Sequence, residues 1–86
     1  MEQYDVKVPK RPEKQIRDIP LPWRDRIKRA IDFLAQDPFA GEKMKGKFEG
    51  RWKLVVWPYR IFYCVLKDQK RIIILQVKHR GSAGYK

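Results

Sequence analysis

One cysteine, Cys64, stands in a chain of 86 residues, so no internal disulfide can form. This points to a reducing, cytoplasmic setting. Histidine is as scarce, with His79 alone. One Cys and one His do not build a Cys/His metal site, so neither a metal nor a cofactor is expected. There is no glycine-rich phosphate loop, and neither Ser82 nor Cys64 has the surroundings of a catalytic triad. No apolar run approaches the roughly 18 residues of a membrane helix. The start, Met1-Glu2-Gln3-Tyr4-Asp5, is acidic and polar, unlike a secretory signal. Repeats and low-complexity segments are missing as well.

Negative charge is scarce in one half only. Residues 43–86 hold twelve Lys/Arg against two Asp/Glu, a net +10, whereas residues 1–42 hold nine against eight. Charge segregated in this way makes a field that attracts phosphates, rather than merely keeping the chain in solution. With 43% apolar residues the chain is a folded unit and not a basic tail. Its length suits a single domain, residues 1–86.

Tyr4, Val6 and Val8 alternate with polar residues, which predicts a short strand over 3–8. A short helix follows from Pro12 to Asp18, with proline in its first turn and Pro20 beyond its end. Pro22 opens a second helix, whose stripe of Trp23, Ile27, Ala30, Ile31 and Leu34 faces the core until Asp37-Pro38 stops it. Trp23, Phe33 and Trp52 are expected in the core. Residues 37–50, with Pro38, Gly41, Gly46 and Gly50, read as a loop. Three strands come next, Arg51–Trp57, Arg60–Leu66 and Arg71–Val77, joined by links short enough for antiparallel hairpins. His79 to Lys86 is a polar tail. The expected class is α+β, with an N-terminal strand and two helices packed on one face of a mostly antiparallel twisted sheet. The other face is left open.

Strand alternation then selects what that face carries. Arg51 and Lys53 share a parity, and burying them unpaired beneath the helices would be costly, so they face out. Ile61, Tyr63 and Val65 suit the core, which turns Arg60 outward. Its distance from Lys53 depends on a register the sequence does not give. The last strand is apolar on both parities up to Gln76, so its facing stays ambiguous, but its exit, Lys78-His79-Arg80, is basic. If the strands are neighbours, Arg51, Lys53, Arg60, His79 and Arg80 converge on one surface, with Tyr85 close by. Such a set suits phosphate binding. Lys45, Lys47 and Lys78 are candidate further contacts to RNA. Cleavage of RNA without metal is within reach of these residues. Its 2′-OH must be aligned on the adjacent phosphate, one proton removed, another supplied, and the extra charge neutralised. Arginine is suited to the last task. Lysine is a poor base at its ordinary pKa of about 10.4, though adjacent cations such as Arg51 and Arg60 would favour neutral Lys53. His79, ordinarily near pKa 6.5, is the first candidate for proton transfer (about the middle of the useful range). Glu49 is the one carboxylate near the set.

The element order, Lys45-Gly46 ahead of Arg51-Trp52-Lys53-Leu54, the segment Pro58-Tyr59-Arg60-Ile61-Phe62-Tyr63, and the closing His79-Arg80 with Tyr85 resemble the RelE/ParE superfamily of type II toxins. The likeness spans almost the whole chain, and Tyr59-Arg60 followed by alternating aliphatic and aromatic residues is its most specific part. It implies a RelE-like toxin that cuts mRNA in the ribosomal A site, on the 30S subunit, through a Lys/Arg cluster. Arg51 and Lys53 match the family's basic pair and Arg60 its strand arginine. His79 or Arg80 matches its C-terminal basic residue, with spacing favouring His79, and Tyr85 matches the tyrosine that stacks on a codon base. Arg51 stands where the family has lysine, so it is not expected to serve as a base. The resemblance further implies an antitoxin from the adjacent gene, a toxin otherwise monomeric, and no membrane association. Two alternatives remain at this stage: a ParE-like inhibitor of DNA gyrase on the same fold, and an RNA-binding module without activity.

Overall fold

The computed structural model describes residues 3–48 and 50–81. Along these, the order is β1 (Asp5–Lys7), α1 (Lys10–Arg17), α2 (Trp23–Gln36), β2 (Glu42–Lys43), β3 (Arg51–Val56), β4 (Tyr59–Leu66) and β5 (Arg71–His79). Single 3₁₀ turns lie at Gly46–Phe48 and Lys67–Gln69. The strands form one sheet in the order β1-β5-β4-β3-β2. β2 through β5 are antiparallel to their neighbours, and β1 joins β5 in parallel. The α+β arrangement expected from the pattern is thus present, with both helices on one face.

α1 begins at Lys10, two residues before Pro12, and the Glu13 N–H bonds to the Pro9 carbonyl at 3.0 Å. Pro12 still lies in the first turn, where a missing donor costs nothing. Ile16, Ile19, Ile27, Ile31 and Leu34 from the helical segment meet Ile61, Tyr63, Ile72, Ile74 and Val77 from the sheet to form the core. Removing these side chains from water supplies the main driving force for the fold. Trp52 packs against this core, ringed by Tyr63 at 6.4 Å and Phe39 at 5.2 Å. Trp23 and Phe33, expected in the core, are not buried: they are 37% and 50% exposed. Phe33 lies two residues, or about 200°, round the helix from Ile31, which puts it on the solvent side.

Two further departures bear on the site. The stretch 37–50, expected as loop, contains β2, which is two exposed residues long and so leaves no alternating pattern to read. Its approach to β3 is close: a Cβ on Gly41 would stand 2.5 Å from the Lys53 carbonyl oxygen, so only glycine fits. β5 runs to His79 rather than Val77, and it carries a bulge. Tyr63 pairs with Ile74 and Phe62 with Gln76, leaving Leu75 without a partner. Past that extra residue the inward parity shifts, from Ile72 and Ile74 to Val77.

Candidate functional site: a basic open sheet face

The register brings the basic residues together. Across β3 and β4, Trp52 lies opposite Tyr63 and Leu54 opposite Ile61, and this parity packs on the helices. The other parity sets Arg51 opposite Cys64, Lys53 opposite Phe62, and Val55 opposite Arg60. Arg60 in turn faces Lys78 of β5. Directly opposite residues have Cβ atoms about 5 Å apart and diagonal ones about 7–8 Å. Arg51, Lys53, Arg60 and Lys78 therefore occupy one face of three adjacent strands, with Arg60 diagonal to Lys53. Between them lies Phe62, only 6% exposed although no helix among the described residues covers this face. Its neighbours in the ladder are Lys53, Gln76, Arg60 and Cys64, and the aliphatic stems of long cationic side chains suit such a floor.

The strands β3, β4 and β5 contain no carboxylate. Those on this parity stand at the two sheet edges. Glu42 of β2 lies opposite Lys53, its Oε1 3.8 Å from Nζ, and Asp5 of β1 pairs with Lys7 at 3.1 Å. Lys53 is thus not surrounded by cations alone. The sequence reading missed Glu42 because β2 carries no signal. Lys45 and Lys47 are exposed in the connection leading from β2 to Arg51.

His79 does not join the cluster. It lies opposite Tyr59, on the parity of Ile61 and Val77, and so on the helix side of the sheet at its end. Its ring meets that of Tyr59 edge-on, with centroids 5.2 Å apart. Its Nδ1 accepts the Gly81 N–H at 2.9 Å, an arrangement that leaves the proton of the neutral ring on Nε2. The reason is again the pleat: Lys78 points outward, so its neighbour points the other way. Arg80 sits beside the β3–β4 hairpin. Its backbone N–H bonds to the Pro58 carbonyl at 2.8 Å, and its guanidinium lies 4.5 Å from the centre of the Trp57 ring. Tyr85 and Glu49 fall outside the described residues.

This face can hold several consecutive phosphates and stabilise an added negative charge at one of them. The groove on the helix side has no such bias, since Glu13 and Asp32 offset Arg17 and Lys28 around an apolar floor of Val8, Ile16 and Ile31.

Residues 6–84 match the family described as the ParE toxin of type II toxin–antitoxin systems. No protein of curated description matches the sequence. Among solved structures, a chain of the RelBE toxin–antitoxin complex of Mycobacterium tuberculosis superposes with a TM-score of 0.85 at 19% identity, covering 91% of this chain and 99% of that one. A chain of the archaeal RelE–RelB complex of Pyrococcus horikoshii gives 0.80 at 28% identity, over 94% and 99%. The isolated RelE toxin of E. coli gives 0.74 at 18% identity, over 88% and 83%. The family match takes in both helices and every strand but the first residue of β1, and the RelE structures repeat the same open sheet, so this chain belongs to the ParE toxin family of type II toxin–antitoxin systems, within the RelE/ParE superfamily.

Proposed function

We propose that this toxin is a ribosome-dependent mRNA endonuclease, acting in the cytoplasm on mRNA held in the 30S A site. The observation that carries the reading is the set Arg51, Lys53, Arg60 and Lys78 on one open face, with no carboxylate on the three strands that bear it. In this reaction the RNA 2′-oxygen attacks the adjacent phosphorus and the bond to the 5′-oxygen breaks. The products are a 2′,3′-cyclic phosphate and a 5′-hydroxyl. One proton leaves the 2′-OH and one reaches the departing oxygen. Arg60 and Arg51 bind the non-bridging oxygens as charge develops on them. Lys53 and Lys78 hold the flanking phosphates, with Lys45 and Lys47 extending the track. Tyr85 stacks on a base of the codon, and Arg80 completes the set from the hairpin end of the face, while His79, on the helix side, stands outside it. No metal or cofactor is invoked. Among the described residues the carboxylates of this face stand only at its edges, which fits a toxin that depends on the ribosome to align its substrate.

Control falls to an antitoxin from the adjacent gene. The archaeal relative was solved as a RelE–RelB complex, and a partner of that kind would cover the basic face here, leaving a monomeric toxin when released. A second reading, poisoning of DNA gyrase, is favoured by the ParE description of the matching family. A purified translation system separates the two. Primer extension should show cuts inside A-site codons, reduced at least about a hundredfold by Arg60→Ala, the scale of one lost charge stabiliser, and strongly weakened by Tyr85→Ala. Intact mRNA with accumulating gyrase–DNA cleavage complexes would replace the nuclease reading by the gyrase one.

A further inference from the structure

Trp57 takes no part in the core. It is 62% exposed, more than any other large apolar side chain among the described residues. A single exposed apolar residue needs no explanation. This one, however, has a built environment. The Arg80 guanidinium lies over one side of its ring at 4.5 Å, and the Arg80 backbone is tied to the same hairpin by the bond to the Pro58 carbonyl. Position adds to this. Trp57 opens the β3–β4 turn directly after Val56, and Arg80 directly follows the end of β5, two residues past Lys78. The pair therefore stands at the hairpin end of the basic face, beyond Arg60.

We propose that Trp57 and Arg80 form a subsite for single-stranded RNA, in which the free side of the indole stacks on a nucleobase while Arg80 binds the neighbouring phosphate. The proposal rests on the RNA reading above and adds a residue to it. An indole accepts any base on its π-face, so the subsite grips without reading sequence. The guanidinium, 4.5 Å from the ring centre, keeps its own charge and N–H donors for phosphate oxygens, which it can meet two at a time whether or not the indole is present. Trp57 lies four residues, about 13 Å, along the sheet from Lys53. It thus takes a base flanking the linkage that is cut, and its role is positioning. The charge favours a phosphate-bearing ligand over a neutral peptide, because Arg80 lies on the ring itself and Arg60 and Lys78 stand on the adjoining face.

The test uses a fluorescein-labelled ten-nucleotide oligoadenylate RNA and, as a ligand with charge but no bases, inorganic polyphosphate. Trp57→Ala and Trp57→Leu should each weaken oligoadenylate binding about tenfold, and Trp57→Phe should keep most of it, because loss of one base–aromatic stack is the effect being read. Polyphosphate binding should be unchanged in all three variants, and Arg80→Ala should weaken both ligands. Unchanged thermal melting of the Trp57 variants, expected for so exposed a side chain, shows that the fold is intact. The subsite is overturned if Trp57→Ala binds oligoadenylate like the parent, if leucine serves as well as phenylalanine, or if polyphosphate binding falls in step. Those results with mRNA cleavage by the parent preserved would refute the stack alone. A parent protein that neither binds oligoadenylate nor cuts mRNA on ribosomes refutes the RNA reading and the stack together. RNA binding intact in Trp57→Ala, with antitoxin or gyrase binding lost, would assign the pair to a protein partner and overturn the proposal.

Discussion

Tyr63 shows how one side chain positions this site. Its ring is fully buried in β4, stacked beside Trp52, while its hydroxyl donates to the Pro38 carbonyl at 3.0 Å and accepts the Gly41 N–H at 3.1 Å. Both partners lie in the segment that leads from α2 into β2, so the phenol pins that segment to the sheet and with it the Glu42–Lys53 pair. Burial pushes the Tyr63 pKa above its ordinary 10.0; the bond from Gly41 pulls it down and the charge of Asp37 raises it, with the net shift upward. Tyr63→Phe leaves a buried carbonyl and an amide without their partner, which should cost about 1–3 kcal/mol in urea unfolding. The raised pKa adds a pH signature. Above about pH 10 the unfolded chain releases the phenolic proton more readily than the folded one, so the native state binds more protons and stability falls as pH rises through the folded pKa. Below pH 10 the contribution is fully present. Tyr63→Phe should lack this part of the alkaline decline, and equal pH slopes in parent and variant would refute the coupling. The hydrophobic pattern places Tyr63 in the core, but the partners of its hydroxyl are 22 and 25 positions away, a distance no local pattern spans.

At the scale of elements, β5 organises the molecule, and it is also where the sequence is hardest to read. Its first half lies between β1 and β4, but β1 pairs only as far as Ile73. Past that point α1 takes over: Gln15 Oε1 accepts the Val77 N–H at 2.8 Å. One glutamine thus finishes a ladder that β1 leaves incomplete. Gln15→Leu should orphan the amide and destabilise by about 1–2 kcal/mol. Gln15→Glu keeps the acceptor and should lose less. Hydrogen exchange at the Val77 amide, faster in the leucine variant alone, would locate the effect; equal exchange in both would refute it. Helices and long strands were legible because their periodicity is carried by residues such as Ile27, Ile31 and Leu34, or Ile61 and Tyr63. The facing of β5 was not, because Ile72, Ile73, Ile74 and Leu75 are all apolar and the bulge at Leu75 breaks the alternation that would have sorted them. β2 escaped notice for a different reason: it is defined by backbone pairing to β3, and its two side chains are both exposed.

Over the whole molecule, the charge imbalance between the halves becomes an imbalance between faces. Arg51, Lys53 and Arg60 could be assigned to the open side from parity alone, since burying them under the helices would be costly. His79 was misplaced with them, because the strand was expected to end at Val77 and a tail residue has no fixed side; within β5 it must alternate with Lys78. The reading that survives is a cationic face three strands wide, and its physical consequence is a dependence on salt. Each phosphate engaged releases counterions, so log K for a single strand falls with log salt by about 0.7 per contact. The four contacts of the strand face, from Arg51, Lys53, Arg60 and Lys78, predict a slope of at least about 3 in magnitude and a loss of affinity of at least about fiftyfold between 50 and 200 mM salt for oligoadenylate, with Arg80 and the Lys45–Lys47 track adding to both. Arg60→Ala should lower the slope by about 0.7, whereas reversing Lys28 on the helix side should leave it unchanged. Fluorescence anisotropy across that salt range measures both. A slope near zero, or one as sensitive to Lys28 as to Arg60, would mean that the open face does not hold the phosphates, whatever the toxin does next.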